Sequence, residues 1–582
     1  MVNRGASRGC MTCRQRRVKC DERKPWCRQC LLLGRECAGY GRKRPRLRFK
    51  DETARYSGIQ PDQGAHIRHS NREVAKTPKH KPTTISRNDC SILPSLQPHQ
   101  QDLAVSFFLN YVTNIGRSLE STRGFLEFVR PALATQRHDS ALFAAVNAAA
   151  SKLWMILGYY GSSASQPIKL HSKALVRLQK AVQDPEERRH DATVLAALML
   201  QVYDTLSAIS GQHRAHGTHR DGALALLLQR GDDGSDSKYH ANLVGNLLHS
   251  KVSLCVRERR PLPSSDRGWL KSQALAIEPV NPSCLLDHIG IAVADLQHTF
   301  HESWATKKDV DSSGLSDLLD QIRTVDGQLR MWLEVVPQHW YPKRMQSGRD
   351  IDLSIETYKG SCDVYPSIQI ANIWNGWRIY CLILQQIKLR LASDVPSPSP
   401  KQTSNLHHIS QSVRITHEVQ ELVDSICHSI AFYLGNCTSP PTLSDMENPK
   451  FIFPSYHDLD PTDEDFLRYR VGDHYVSRVD HSRHVLLQGH LHCMSLLSQF
   501  LGLFPEQDTL VAAQTLRQGQ MQWIADQFMR SLYLLRQIPH RSLNDIGHHH
   551  KESQSQKLAT KVSQAEAMAS TMREGLWTVN IL

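Results

Sequence analysis

Six of the fourteen cysteines in this chain lie between Cys10 and Cys37, in the order Cys10-x2-Cys13-x6-Cys20-x6-Cys27-x2-Cys30-x6-Cys37. A segment this short has no room for a hydrophobic core, so the thiols themselves must fold it. One tetrahedral zinc would use four thiolates and strand two, whereas two tetrahedral zincs sharing a pair of bridging sulfurs use all six. The spacing divides into two Cys-x2-Cys-x6-Cys halves, each able to chelate from one helical turn and a returning loop. Disulfides are the alternative for an even set of close cysteines. They are disfavoured by the polar, signal-free stretch ahead of the cluster and by the scatter of the other eight cysteines, which points to a reducing compartment. Soft thiolates at this density favour zinc over calcium, magnesium or manganese.

The residues between the ligands are not those of a merely structural knuckle. Arg14, Arg16, Arg17 and Lys19 fill the first six-residue interval, read as the continuation of a short helix after Cys13. Cations crowded on one short helix repel each other, so the arrangement gains from an external polyanion, and DNA is the obvious one.

With its ligands and spacing complete, the segment resembles the fungal Zn2Cys6 binuclear zinc cluster DNA-binding domain. The resemblance implies that Cys10 and Cys27 bridge two Zn²⁺, that Cys13 and Cys20 complete one, and that Cys30 and Cys37 complete the other. It implies that Pro25 turns the chain between the halves. It also implies that Arg16, Arg17 and Lys19 belong to a recognition helix reading a G·C-rich triplet in the major groove of double-stranded DNA. Arginine is the commonest reader of guanine O6 and N7, in keeping with that expectation.

The charge distribution localises any nucleic-acid function. The net charge is +13; residues 1–50 carry sixteen Lys and Arg against three Asp and Glu, and the remainder is balanced. The basic stretch 38–50, with Arg42, Lys43 and Arg44, is broken by Gly39, Gly41 and Pro45, and suits phosphate contact or nuclear import. Residues 51–100 are polar, proline-bearing and without apolar periodicity, and read as a flexible linker. No apolar 3.5-residue repeat occurs between 38 and 100, so a homodimer, if formed, is not expected through a coiled coil there. No apolar run long enough for a membrane helix was identified, the nearest being 141–160, and no membrane partner is expected.

Beyond about residue 101 the apolar residues recur with helical period, as at Ala104, Phe107, Phe108 and Tyr111. Helices are expected at about 172–178, 191–204, 216–231 (with Gly231 as C-cap), 239–257, 284–304, 314–335, 368–393, 407–434, 476–503 and 508–537, with loops at Pro337, Pro396–Pro400 and Pro440–Pro441. Strand-like alternation is scarce. The fold class is therefore mainly α: a small zinc domain (10–37), a basic linker (38–50), a flexible linker (51–100), an irregular all-helical domain (101–540) and a tail (541–582). The 172–204 and 216–231 segments, together with Trp374-Asn-Gly-Trp-Arg378, are similar to the regulatory region of fungus-specific transcription factors.

Other constellations carry less. His213, His216 and His219 recur every third residue, but Gly217 weakens a helix there and no Cys or carboxylate sits at helical spacing beside them. His548–His550 read as an exposed run. The acidic segment His457–Phe466, with Leu459 and Phe466, has the composition of an activation segment or of a polar loop. No nucleophile elbow, P-loop or dinucleotide fingerprint is present, so no enzyme activity is expected. The eight remaining cysteines read mostly as small core hydrophobes. The expectation is a nuclear, DNA-binding regulator of RNA polymerase II genes acting with the transcription machinery or co-regulators, secondary-metabolite clusters being a common setting for such proteins. A zinc-scaffolded interaction protein without direct sequence reading is the alternative.

Overall fold

The computed structural model of the chain describes residues 9–24, 26–40, 100–113, 124–158, 165–210, 217–230, 239–268, 281–302, 312–394, 402–464, 466–467, 476–504, 515–536 and 562–570. Pro25, the basic stretch 41–50 with Arg42, Lys43 and Arg44, the linker 51–99, Gly231 and His548–His550 lie outside these residues. Two compact units are formed, Met1–Pro94 and Ser95–Leu582.

The first unit holds two short helices, α1 (Met11–Gln15) and α2 (Arg28–Leu32). The second is helical: α3 (Gln100–Phe107), α4 (Leu126–Leu133), α5 (Ala141–Ile156), α6 (Ser165–Gln183), α7 (Asp191–Ile209), α8 (Thr218–Leu228), α9 (His240–Glu258), α10 (Pro282–Phe300), α11 (Ser312–Val335), α12 (Ile368–Asp394), α13 (Gln402–Leu434), α14 (Arg478–Leu503) and α15 (Gln520–Leu534). Their starts carry the expected chemistry. Ser140 caps α5 by accepting from Phe143 N–H at 3.2 Å, Asn281 caps α10 with Pro282 at its first position, and Ser477 caps α14.

Helix α7 packs between α5, α6 and α8, and residues Val194 to Met199 are all buried. A 19-residue helix with mean hydropathy 1.5 meets the length and composition of a membrane span, a feature missed in the sequence. Its apolar residues face protein on nearly every side, with 72% of the apolar window buried. A helix hydrophobic all round is what the centre of a large helical body requires.

Farther along, α12 packs on α10, α11 and α13 around four tryptophans. Trp332 meets Trp374 edge to face at 5.3 Å and stacks on Trp377 at 6.2 Å. Three of the four indole N–H groups find an acceptor: Trp332 donates to Pro282 O, Trp374 to Trp340 O and Trp377 to Leu329 O, all within 3.0 Å, whereas that of buried Trp340 has no hydrogen-bond partner among the described residues. The Trp-Asn-Gly-Trp-Arg motif is thus internal. Its Arg378 donates to Tyr365 Oη at 2.8 Å and to Asn375 Oδ1 at 2.7 Å, and lies 3.8 Å from buried Asp363, while Asn375 reaches Ser429 and Tyr433 of α13. The periodicity of the sequence did not reveal the one hairpin of the described residues, β1 (Lys343–Gln346) antiparallel to β2 (Ser361–Val364), with Met345 opposite Cys362. Both strands are short: β1 alternates over only four residues, with Met345 inward between exposed Arg344 and Gln346, and β2 is buried throughout and does not alternate.

The acidic stretch after Tyr456 is tied into this body: buried Phe466 and half-buried Leu459 pack on the core, and Asp458 pairs with Arg478. A short helical segment at 562–570, within the stretch read as a tail, buries Ala565 and Ala569. All seven described cysteines of this unit are buried, and none of them is joined in a disulfide.

Helices α13 and α14 approach so closely at Gly489 that a Cβ there would stand 2.1 Å from the Tyr433 carbonyl oxygen. Gly489→Ala is therefore expected to lower stability by about 1–3 kcal/mol, since backbone must shift to admit it. Gly327→Ala, at a position in α11 with nothing within 4 Å of the added methyl, should instead raise stability by up to about 1 kcal/mol. Urea denaturation midpoints of the two variants test the contrast.

Candidate metal centre and nucleic-acid interface

The first unit is built twice from the same backbone, with an offset of seventeen residues. Cys10 caps α1 with its own sulfur, which accepts from Cys13 N–H at 3.3 Å, and Cys27 caps α2 by accepting from Cys30 N–H at 3.3 Å. A thiolate thus takes the place usually held by Ser or Asp, and the helix start lends it two partners: an N–H and the positive end of the peptide dipoles. Each helix then stops after five residues at a left-handed residue, Arg17 (φ 57°) and Gly34 (φ 57°). Val18 N–H closes on Cys13 O at 3.1 Å and Arg35 N–H on Cys30 O at 3.0 Å. This reversal brings Cys20 and Cys37 back to the sulfurs of their own halves.

The six sulfurs gather into two quartets, Cys10/Cys13/Cys20/Cys27 and Cys10/Cys27/Cys30/Cys37, and within each quartet all sulfurs lie within 4.8 Å of one another. Cys10 and Cys27 belong to both. Their sulfurs are 3.6 Å apart, Cys13 is 3.6 Å from Cys27 and Cys10 is 3.8 Å from Cys30. A disulfide would bring two sulfurs to about 2.05 Å. Thiolates around a tetrahedral zinc at about 2.3 Å are separated by about 3.8 Å, the edge of that tetrahedron. The donor set therefore fits two zinc ions and no cystine.

The local electrostatics give the same reason for a cation. Burial pushes the Cys10, Cys13 and Cys27 thiols up, which disfavours thiolates packed together without a positive charge. Cys20 runs the other way: burial raises it, but N–H groups of Cys10 and Glu22 and the Tyr40 hydroxyl outweigh that and bring it down to about 7. Thr12 accepts from Ala38 N–H and donates to Glu36 O, and Asp21 accepts from Arg28 N–H, so the halves are stitched by polar bonds rather than by a core.

What differs between the halves is the surface. Arg14, Arg16, Arg17 and Lys19 of the first half correspond to Leu31, Leu33, Gly34 and Glu36 of the second. Arg16, Arg17 and Lys19 are exposed and Arg14 is half-buried. The expectation that these cations continue the helix needs correction: only Arg14 lies on α1, Arg16 is its C-cap, and Arg17 and Lys19 follow the reversal. Returning Cys20 to its quartet requires the helix to end there. The basic residues 42–44 are outside the described residues.

Comparison with known proteins places both units. Residues 8–47 match the fungal Zn(2)-Cys(6) binuclear cluster domain, and residues 103–430 match the fungal specific transcription factor domain. Among curated relatives, the transcriptional regulatory protein moc3 of Schizosaccharomyces pombe is 54% identical over 39 residues, 7% of this chain and 8% of that protein. The aspercryptin biosynthesis cluster-specific transcription regulator atnN of Emericella nidulans is 65% identical over 37 residues, 6% of each. Transcription activator AMTR1 of Alternaria alternata is 69% identical over 29 residues, 5% of this chain and 4% of its own. The matched stretches thus span less than a tenth of these relatives. No solved structure matches significantly.

The backbone repetition predicts how the left-handed positions respond. Arg17→Gly should leave the zinc-loaded fold at least as stable, and Gly34→Arg should cost about 1 kcal/mol, because only the latter adds a Cβ where φ is positive. Thermal unfolding of zinc-loaded variants measures both. With the cluster domain matched at one end and more than half of its residues matched by the second domain, this chain belongs to the fungal specific transcription factor family and carries a Zn(2)-Cys(6) domain that binds two zinc ions.

Proposed function

We propose that the protein is a nuclear, sequence-specific regulator of RNA polymerase II genes that reads G·C-rich triplets in double-stranded DNA. Zinc is held by Cys10, Cys13, Cys20, Cys27, Cys30 and Cys37, with Cys10 and Cys27 as the shared ligands. The observation that carries the reading is the asymmetry of a duplicated scaffold: where one half exposes Leu31 and Leu33, the other presents Arg14, Arg16, Arg17 and Lys19. Zinc fixes the backbone, and the cations sit where a rigid support lets them reach base edges. Arg42, Lys43 and Arg44 hold phosphates or serve nuclear import, a Gly- and Pro-broken stretch being poorly suited to fixed bidentate geometry. The relative named for aspercryptin biosynthesis supports control of a secondary-metabolite gene cluster as the setting. The transcription machinery or co-regulators are the expected partners of the helical domain.

Two measurements test this. In competition binding with preferred and scrambled duplexes across salt, Lys19→Ala should cost about 1–3 kcal/mol on the preferred site and relax discrimination. Arg44→Ala should weaken both duplexes alike and reduce the salt slope by about 0.9. Equal weakening by Lys19→Ala would overturn the major-groove reading, and absence of zinc-dependent duplex binding by residues 1–60 at low salt would favour the scaffold reading. Metal analysis tests the ligand roles: loss of a shared sulfur in Cys27→Ala should disturb both zincs, and a variant still holding two would overturn the bridging assignment.

A further inference from the structure

His219 was noticed in the sequence for its spacing from His213 and His216, which lie outside the described residues. The fold gives it different neighbours. His219 in the first turn of α8 and His171 in the second turn of α6 aim their Nε2 atoms at opposite oxygens of Asp204 on α7, at 3.6 and 3.8 Å. All three donor atoms lie within 4.8 Å of one another. The His171 ring is set by stacking on Tyr203, with centroids 4.1 Å apart and planes 7° from parallel.

These separations are not those of a proton-bridged pair. A hydrogen-bonded imidazole and carboxylate close to 2.7–3.2 Å, as His249 and Asp287 do elsewhere in the same unit at 2.7 Å. Nitrogen and oxygen ligands about 2.0–2.1 Å from a tetrahedral metal are about 3.4 Å apart, so one atom from each residue, all within 4.8 Å of one another, needs only a small contraction to share an ion. Two imidazoles and one carboxylate from three elements, with side chains 16–25% exposed, leave a water able to complete the coordination. Imidazole donors favour zinc and its transition-metal neighbours over magnesium or calcium.

We propose that His171, Asp204 and His219 form a divalent transition-metal site, zinc being the natural occupant, separate from the cysteine cluster and clipping α6, α7 and α8 together. Bound metal fastens the start of α8 to α6 and α7, adding to the packing of α8 on α7.

The test uses the full chain with its cluster zinc-loaded. Zn²⁺ titration should add one equivalent beyond the two of the cluster. Co²⁺ offered to the zinc-loaded chain should give d–d absorption without the charge-transfer band of thiolate ligation. His171→Gln and His219→Gln should each weaken the extra equivalent at least about tenfold while the two cluster zincs and the helical circular dichroism persist. Asp204→Asn, which keeps the shape of the site, should do the same and guards against a folding defect in either histidine variant. The proposal is overturned if the wild-type chain takes up no third metal, if the third metal survives all three substitutions, or if it is lost only when His548–His550 are replaced by serine.

Discussion

The convergence of six sulfurs on two points is the constraint from which the N-terminal unit follows. Each half spends its first two cysteines on a helix start and its third on a return, so helix length, turn and hydrogen bonding are all fixed by where a sulfur must arrive. Without a cation the arrangement is frustrated, since burial raises the inner thiols where thiolates are needed. A divalent ion removes that conflict and supplies the free energy that a core would supply in a larger domain. Duplication of the backbone then frees the surface of one half from any duty in folding, and there the cations stand.

Stability in the helical unit comes from the opposite source. Its centre is α7, buried on nearly every side, and its second focus is the tryptophan cluster beneath the hairpin. One set of buried polar groups here is closely paired. Asp363, Arg378, Asn375, Ser429 and Tyr433 form one connected network between β2, α12 and α13. Such a network resists alternative packings, because a shifted helix would leave a charge or an amide without its partner in a low-dielectric interior. The Trp-Asn-Gly-Trp-Arg motif that suggested a family in the sequence is in this sense architectural.

The zinc ligands were legible in the sequence because chelation is local: spacing within a few residues sets which sulfurs share a turn. Several helices were legible for a similar reason, and Ser312–Val335 or Ile368–Asp394 fall within two residues of the periodicity that announced them, whereas α4 and α5 were not among the helices expected and α6 extends well beyond the 172–178 read for it. Local information ran out in identifiable places. The end of α1 at Gln15 is imposed by the return of Cys20, which no helix propensity of Arg16 or Arg17 records. The hairpin is too short for the alternation of β1 to register, and β2 is too buried to alternate.

Composition and spacing by themselves determined the two-zinc count, the confinement of positive charge to the first fifty residues and the helical class of the rest. Tertiary structure alone decided that Cys10 and Cys27 stand in both sulfur quartets, that Arg378 is an internal tie, and that His219 meets His171 and Asp204 rather than its sequence neighbours. The physical reason is common to all three. A pattern along the chain specifies what each segment can form, but distances between segments are set by which faces pack, and ligand chemistry depends on those distances.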